Sequence, residues 1–228
     1  MNEKVFGMDD YDFGQNVDVE QIEVEDPTLF SLTIDSSYSM DDYVKEVPLC
    51  IDTLKDSIIE SKSEDEFVVS VNYFDDKVKL GGYQKIHDVS SAYNLGGCTA
   101  LYSAIVEAQE ALKNEAGTGY YDQLRKNGIT PKGIFVVLSD GYNNVGAHSA
   151  NDAKKAVKYL NKNEIITAYI AFGSDAVGIG EDLGFANVIN VKDANKQELR
   201  KIFRILSKSA ISASRSANAV SAGNFFQV

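Results

Sequence analysis

The chain has 228 residues, with 34 acidic side chains against 22 basic ones, a net charge of −12, and a 44% hydrophobic share. That size and composition suit one globular core, and the negative balance argues against nucleic acid or an anionic membrane as the main partner. No apolar run approaches the ~20 residues of a membrane span, and no basic-then-apolar leader opens the chain, so cytoplasmic residence is expected.

The charge is unevenly spread. Residues 1–26 hold nine acids against a single base, Lys4, and read as a solvated acidic N-terminal arm. Within it, the alternation of Val17, Val19, Ile22 and Val24 leaves room for a short edge strand. Cys50 and Cys98 match no zinc or redox spacing and read as reduced, partly buried thiols. His87 and His148 stand apart, which argues against a metal site built on histidine.

From Thr28 onward, strands alternate with helices. Leu29 to Ile34 reads as a buried strand ending in "DSSYS". A helix is predicted from about Pro48, a residue favoured at the first helical position, through Ile51, Leu54 and Ile58. "FVVSVNYF", Phe67 to Phe74, is a second strand, and a short one near Val78–Leu80 breaks at Gly81-Gly82. Thr99 precedes a helix with Leu101, Ile105, Ala108 and Leu112 on one face, and residues 114–131 read as a polar loop. The most apolar strand, "GIFVVLSDG", follows. Ser149 and Asp152 have the spacing of a helix start, and Ile165 to Gly173 and Val188 to Val191 read as further strands. Gly178, Gly180 and Gly184 lack the spacing of a phosphate-cradling loop and read as a flexible loop. A last helix is predicted from about Asn195, with Leu199, Ile202, Phe203 and Leu206 inward and a basic outer face. The organisation expected is an arm over 1–26, a folded domain over 27–208, and a Ser/Ala-rich C-terminal tail over 209–228.

Continuous apolar strands alternating with amphipathic helices imply an α/β fold, a doubly wound, mostly parallel sheet covered on both faces. Ligands of such sheets sit beyond the carboxyl ends of the strands. Asp35 and Asp140 occupy two such ends, and Thr99 precedes a helix packed on the same sheet, so three polar clusters should converge on one rim. Asp35, Ser37, Ser39, Thr99 and Asp140 offer only oxygen, the ligand type of hard divalent cations such as Mg²⁺. Two carboxylates with three hydroxyls leave an ion electrophilic and open to an acidic oxygen from outside. Ser39 and Thr99 as helix caps, and Asp140-Gly141 as an ordinary turn, are the plainer alternatives.

These motifs resemble the von Willebrand factor A domain family, which includes integrin I domains. Its metal-ion-dependent adhesion site (MIDAS) reads Asp-x-Ser-x-Ser, then Thr, then Asp. "DSSYS", "GGCTALYSAI" and "LSDG" supply those elements in order as Asp35, Ser37, Ser39, Thr99 and Asp140, and the resemblance spans about residues 28–208. It implies a Rossmann-like fold and Mg²⁺, with Ca²⁺ or Mn²⁺ as substitutes. Ser37, Ser39 and Thr99 would bind directly, and Asp35 and Asp140 directly or through water. It also implies a partner protein that completes the coordination shell with an Asp or Glu. Tyr38 stands where the family commonly has glycine, and Cys98 before Thr99 is a second variation. The compact chain resembles stand-alone bacterial or phage members associated with tellurium-resistance and stress operons.

The function expected is a non-enzymatic, metal-dependent protein-binding module. A metal-assisted hydrolase or phosphatase is the rival, but no second aspartate lies two residues after Asp35 and no histidine lies within the three motifs themselves. A scaffold subunit with a purely structural metal, assembling through the arm or the "GNFFQV" tail, is the third reading.

Overall fold

The computed structural model describes residues 15–192, 196–216 and 224–226. The β-branched and aromatic runs form β1 (Thr28–Asp35), β2 (Phe67–Phe74), β5 (Lys132–Ser139), β6 (Ile166–Phe172) and β7 (Asn187–Val191). Two short strands, β3 (Val78–Lys79) and β4 (Gln84–Lys85), complete a seven-stranded sheet of order β3-β2-β1-β5-β6-β7, with β4 also on β2. Strands β2, β1, β5, β6 and β7 pair in parallel, and the two short strands run antiparallel to β2. β1 is buried along its whole length, because helices cover both faces.

The pleat sends alternate residues to two cores. Phe30, Leu32 and Ile34 face α1 (Glu46–Glu60) and α6 (Lys196–Arg215). Leu29, Phe135, Val137 and Tyr169 face α2 (Leu101–Leu112), α3 (Tyr120–Lys126), α4 (Ala150–Lys162) and α5 (Ser174–Leu183). Among the described residues no helix is long and apolar enough to cross a membrane.

Several elements differ from the sequence expectations. α1 starts at Glu46, which puts Pro48 at the third helical position, still in the first turn where a missing N–H is tolerated. The expected loop 114–131 contains α3, whose Asp122 accepts from Lys113 Nζ (2.5 Å) and Asn114 N (3.1 Å) across the turn. The glycine-rich stretch after β6 is α5 rather than a flexible loop. A Cβ at Gly180 would lie 2.7 Å from the Tyr169 ring, so glycine lets this helix sit directly on β6. Gly184 then ends it in the left-handed conformation (φ 86°).

The chain ends are more anchored than composition alone suggests. Val17 N donates to Tyr83 O (2.6 Å), Tyr83 N donates to Asn16 Oδ1 (2.8 Å), and Tyr120 OH donates to Val17 O (2.8 Å). Val17, Val19 and Ile22 pack on the α2-side core, and Val19–Gln21 forms a 3₁₀ turn instead of an edge strand. This contact lies on the face opposite α6, so the described part of the arm does not cover the basic helix. Residues 1–14, which carry part of the expected acidic arm, lie outside the described residues.

At the other end α6 continues to Arg215, past the expected start of a tail at Ser209. Ser209, Ala210, Ala213 and Ser214 are buried, since small side chains let the helix approach its neighbours closely. Ser207 and Ser214 return their hydroxyls to Phe203 O (2.8 Å) and Ile211 O (2.9 Å), which removes the cost of burying them. Part of "GNFFQV" also docks: Phe225 is 1% exposed among the α6-side residues, and its N–H donates to Asn187 Oδ1 (3.0 Å).

Phe225→Ala should therefore cost about 3–5 kcal/mol, the range for truncating a buried phenylalanine. Urea denaturation checks this, and a loss below ~1 kcal/mol would show that the segment contributes little to the core.

Candidate functional site

β1 and β5 are neighbours in the centre of the sheet, and the chain leaves them in opposite directions, β1 toward β2 and β5 toward β6. Loops after such a pair diverge and open a crevice at their carboxyl ends. Asp35 is the last residue of β1, and Asp140 follows the last residue of β5.

Asp35 is fully buried. Its Oδ1 accepts from Ser37 N (3.0 Å) and Ser37 Oγ (2.6 Å), and its Oδ2 accepts from Ser139 Oγ (2.7 Å). Ser37 Oγ lies 3.0 Å from Ser39 Oγ. The x-Ser-x-Ser spacing works because residues 35–37 are still extended, with Ser37 at φ −68°, ψ 163°, before the 3₁₀ turn Tyr38–Tyr43 begins. Burial raises the Asp35 pKa to about 6 against its hydrogen bonds from Ser37 and Ser139, and the nearby Asp140 adds to the rise. Asp35 forms no ion pair with a basic side chain among the described residues.

Backbone hydrogen bonds bring the other two motifs to the same rim. Gly96 N donates to Ser36 O (2.8 Å), and Ala100 N donates to Asp75 O (2.8 Å), pinning the Thr99 segment to the loops after β1 and β2. Thr99 O accepts from Asn144 N (2.9 Å), which ties the same segment to the loop after Asp140. Thr99 is 3% exposed, Asp140 is half-buried and Ser39 is exposed.

The capping alternatives do not hold for the hydroxyls. Ala100, not Thr99, is the N-cap of α2, and the cap oxygen is Asn143 Oδ1 from the β5 loop, which accepts from Tyr102 N (2.9 Å). The 3₁₀ turn after β1 has Ser37, not Ser39, at its N-cap, with no side-chain cap bond. The turn alternative for Asp140 is partly realised, since its Oδ1 accepts from Tyr142 N (3.2 Å) while Gly141 takes φ 88°. Tyr38 is 68% exposed and does not pack over the loop; Tyr142, at 62%, stands exposed on the loop that follows Asp140.

Three supporting residues escaped the sequence analysis. Ser139 buttresses the Asp35 carboxyl, Tyr93 OH donates to Asp35 O (2.6 Å), and Asn143 caps α2. Ser139 was legible as the neighbour of Asp140 in "LSDG", but Tyr93 and Asn143 lie in loops where nothing local marks them.

No group of three or more His, Cys, Asp or Glu side chains placed to hold a metal occurs among the described residues. A cation at this rim would therefore lean on hydroxyls. The donor set fits a hard divalent ion: a buried carboxyl without a counter-charge, two serine oxygens in contact with each other, and a second carboxylate alongside.

Solved structures similar to this chain share its architecture. SpaC, the pilus adhesin of Lactobacillus rhamnosus GG, aligns with 83% of the chain at TM-score 0.64 and 11% identity. The mussel byssus proximal thread matrix protein 1, solved with a zinc-occupied MIDAS motif, aligns with 82% at TM-score 0.53 and 18% identity. The D319A mutant of the PilB minor pilin from Streptococcus sanguinis aligns with 87% at TM-score 0.53 and 12% identity. The fold is von Willebrand factor A-like. The aligned regions amount to 30%, 47% and 65% of those proteins, so this chain matches a part of each. No family model and no curated protein matches the sequence.

The buried Asp35 carboxyl sets a pH dependence for the ion-free protein. Its folded pKa lies above the unfolded value of 3.8, so the protonated form favours folding. Stability is full below pH ~4 and falls as pH rises through about 6, by up to ~3 kcal/mol at 1.36 kcal/mol per pKa unit. In EDTA, urea titrations at pH 4 and 7.5 should show Asp35→Asn gaining relative to wild type at the higher pH by about that amount. An unchanged difference between the two proteins would contradict this environment for Asp35.

Proposed function

We propose that this von Willebrand factor A-like domain is a non-enzymatic protein-binding module that uses a divalent cation, Mg²⁺ by preference, to capture an acidic side chain of a partner. Asp35, Ser37, Ser39, Thr99 and Asp140 would hold the ion, directly or through water. The observation that carries the reading is the fully buried Asp35 carboxyl, without a basic partner among the described residues and with two serine hydroxyls beside it at the carboxyl end of the central strand. A bound cation offsets the cost of burying that charge. Two carboxylates balance a divalent ion formally, and the three hydroxyls add no charge, so the ion keeps affinity for one more anionic oxygen.

The neighbours support the same class. They are an adhesin, a minor pilin and a matrix protein, one with zinc at a MIDAS motif, and this favours binding over turnover. The exposed Tyr38 and Tyr142 follow the β1 and β5 ends and supply aromatic surface next to the captured carboxylate. Residence in the cytoplasm and a stress-related setting remain part of this proposal.

Mg²⁺ should raise the thermal midpoint of wild-type protein, with a stabilisation of about 2.7 kcal/mol at a hundred times its Kd. Asp140→Ala and Thr99→Ala should keep the fold but abolish that rise, and calorimetric titration should show the heat of Mg²⁺ binding lost. No Mg²⁺, Mn²⁺ or Ca²⁺ dependence in wild type would overturn the metal site.

For the partner, wild type and Asp35→Ala are compared in native-lysate capture with Mg²⁺ and with EDTA. Proteins captured only by wild type in Mg²⁺ are expected. Capture indifferent to both metal and substitution would refute adhesion through the ion.

A further inference from the structure

A cleft of about 630 Å³ opens beside the proposed metal site and runs across the carboxyl ends of β5, β6 and β7. Ser39 and Asp140 form its near end, Phe172 and Ser174 its middle, and Asn190 and Lys192 its far end. Lys192 is exposed and makes no ion pair among the described residues. Asn190 Oδ1 is buried without a hydrogen-bond partner among the described residues, so a donor arriving in the cleft would satisfy it. The backbone N–H groups that open α5 at Ser174 have no side-chain cap, because Gly173 precedes them. Asp42 also lines the cleft, the one acid outside the proposed metal set to do so among the described residues, and it is exposed.

Resting on the metal-dependent reading above, we propose that this cleft is a second subsite and that the partner segment is doubly acidic. One carboxylate reaches the ion, and a second, three residues further along an extended chain, pairs with Lys192. The spacing follows from the sheet. Ser139 is level with Ala171, and Phe172 with Val191, so Asp140 and Lys192 stand two strands apart at nearly the same height. Adjacent strands are ~4.8 Å apart, which places the two ends ~10 Å from each other. A polyproline-type segment rises ~3.1 Å per residue with three residues per turn, so positions i and i+3 face the same side ~9 Å apart. Such a segment is pre-ordered and retains backbone N–H groups at its non-proline positions, one of which can donate to Asn190 Oδ1.

The probes are two peptides, acetyl-Ala-Pro-Asp-Pro-Pro-Glu-Pro-Ala-amide and its counterpart with Gln in place of Glu, titrated in Mg²⁺ at low salt. Wild type should bind the doubly acidic peptide about two- to fivefold more tightly, the range for one exposed charge pair. Lys192→Ala should erase that preference, Lys192→Arg should keep it, and neither should alter Mg²⁺ affinity measured without peptide by more than twofold. Equal affinity of wild type for both peptides, or a preference that survives Lys192→Ala, overturns the subsite while leaving metal-dependent capture of the Gln peptide intact. Binding of neither peptide, with Mg²⁺ itself bound, removes carboxylate capture and the subsite together. Absence of Mg²⁺ binding removes the reading on which both rest.

Discussion

A carboxyl group at the buried end of the central strand is the constraint from which the rest of the rim follows. Asp35 is sealed from bulk solvent, and its hydrogen bonds come from neutral donors, Ser37 and Ser139, with no basic side chain among the described residues to balance it. Burial therefore favours its protonated form, and neutral pH sets that preference against the solvent. A core built only for stability would place a leucine or valine here. The strained electrostatics are affordable because seven strands and two helical layers fix the position of the strand end.

The same framework organises the loops around that carboxyl. The chain leaves β1 and β5 in opposite directions, so their loops part over the crevice instead of closing it. Cross-loop hydrogen bonds then set the gap. Gly96 to Ser36 and Ala100 to Asp75 hold one side, and Asn144 to Thr99 with Tyr102 to Asn143 holds the other. A helix cap supplied from a different loop couples the start of α2 to the segment after Asp140. The positions of Thr99 and Asp140 are thus mutually dependent. The cleft toward Lys192 extends this rim along β6 and β7, and Asn190 Oδ1 at its far end has no hydrogen-bond partner among the described residues.

Much of the architecture was legible because parallel strands buried on both faces must be apolar throughout, and β2 was located to its observed ends for that reason. The elements that were misread share a cause. α5 contains glycines, which argue locally for a loop, but Gly180 is required by contact with Tyr169 from another strand. The end of α6 is rich in serine and alanine, which suggests a tail, yet those small residues are buried in the fold. Val17, Val19 and Ile22 sit in an acidic stretch, and their docking depends on Tyr83 and Tyr120, both far away in sequence. In each case the deciding partner is non-local.

The sequence by itself determined the α/β alternation, the convergence of three oxygen-bearing motifs on one rim, and the chemical character of those oxygens. Side-chain period and ligand type are local properties, and a single chain carries them openly. Only the tertiary structure decided that Asp35 is fully buried, that Ser39 and Thr99 are not caps, and that Tyr38 stands exposed. It also decided that a cleft ending at the exposed Lys192 adjoins the site. These depend on which strands are neighbours, how far apart they lie, and which side chain from a remote segment fills or leaves each space.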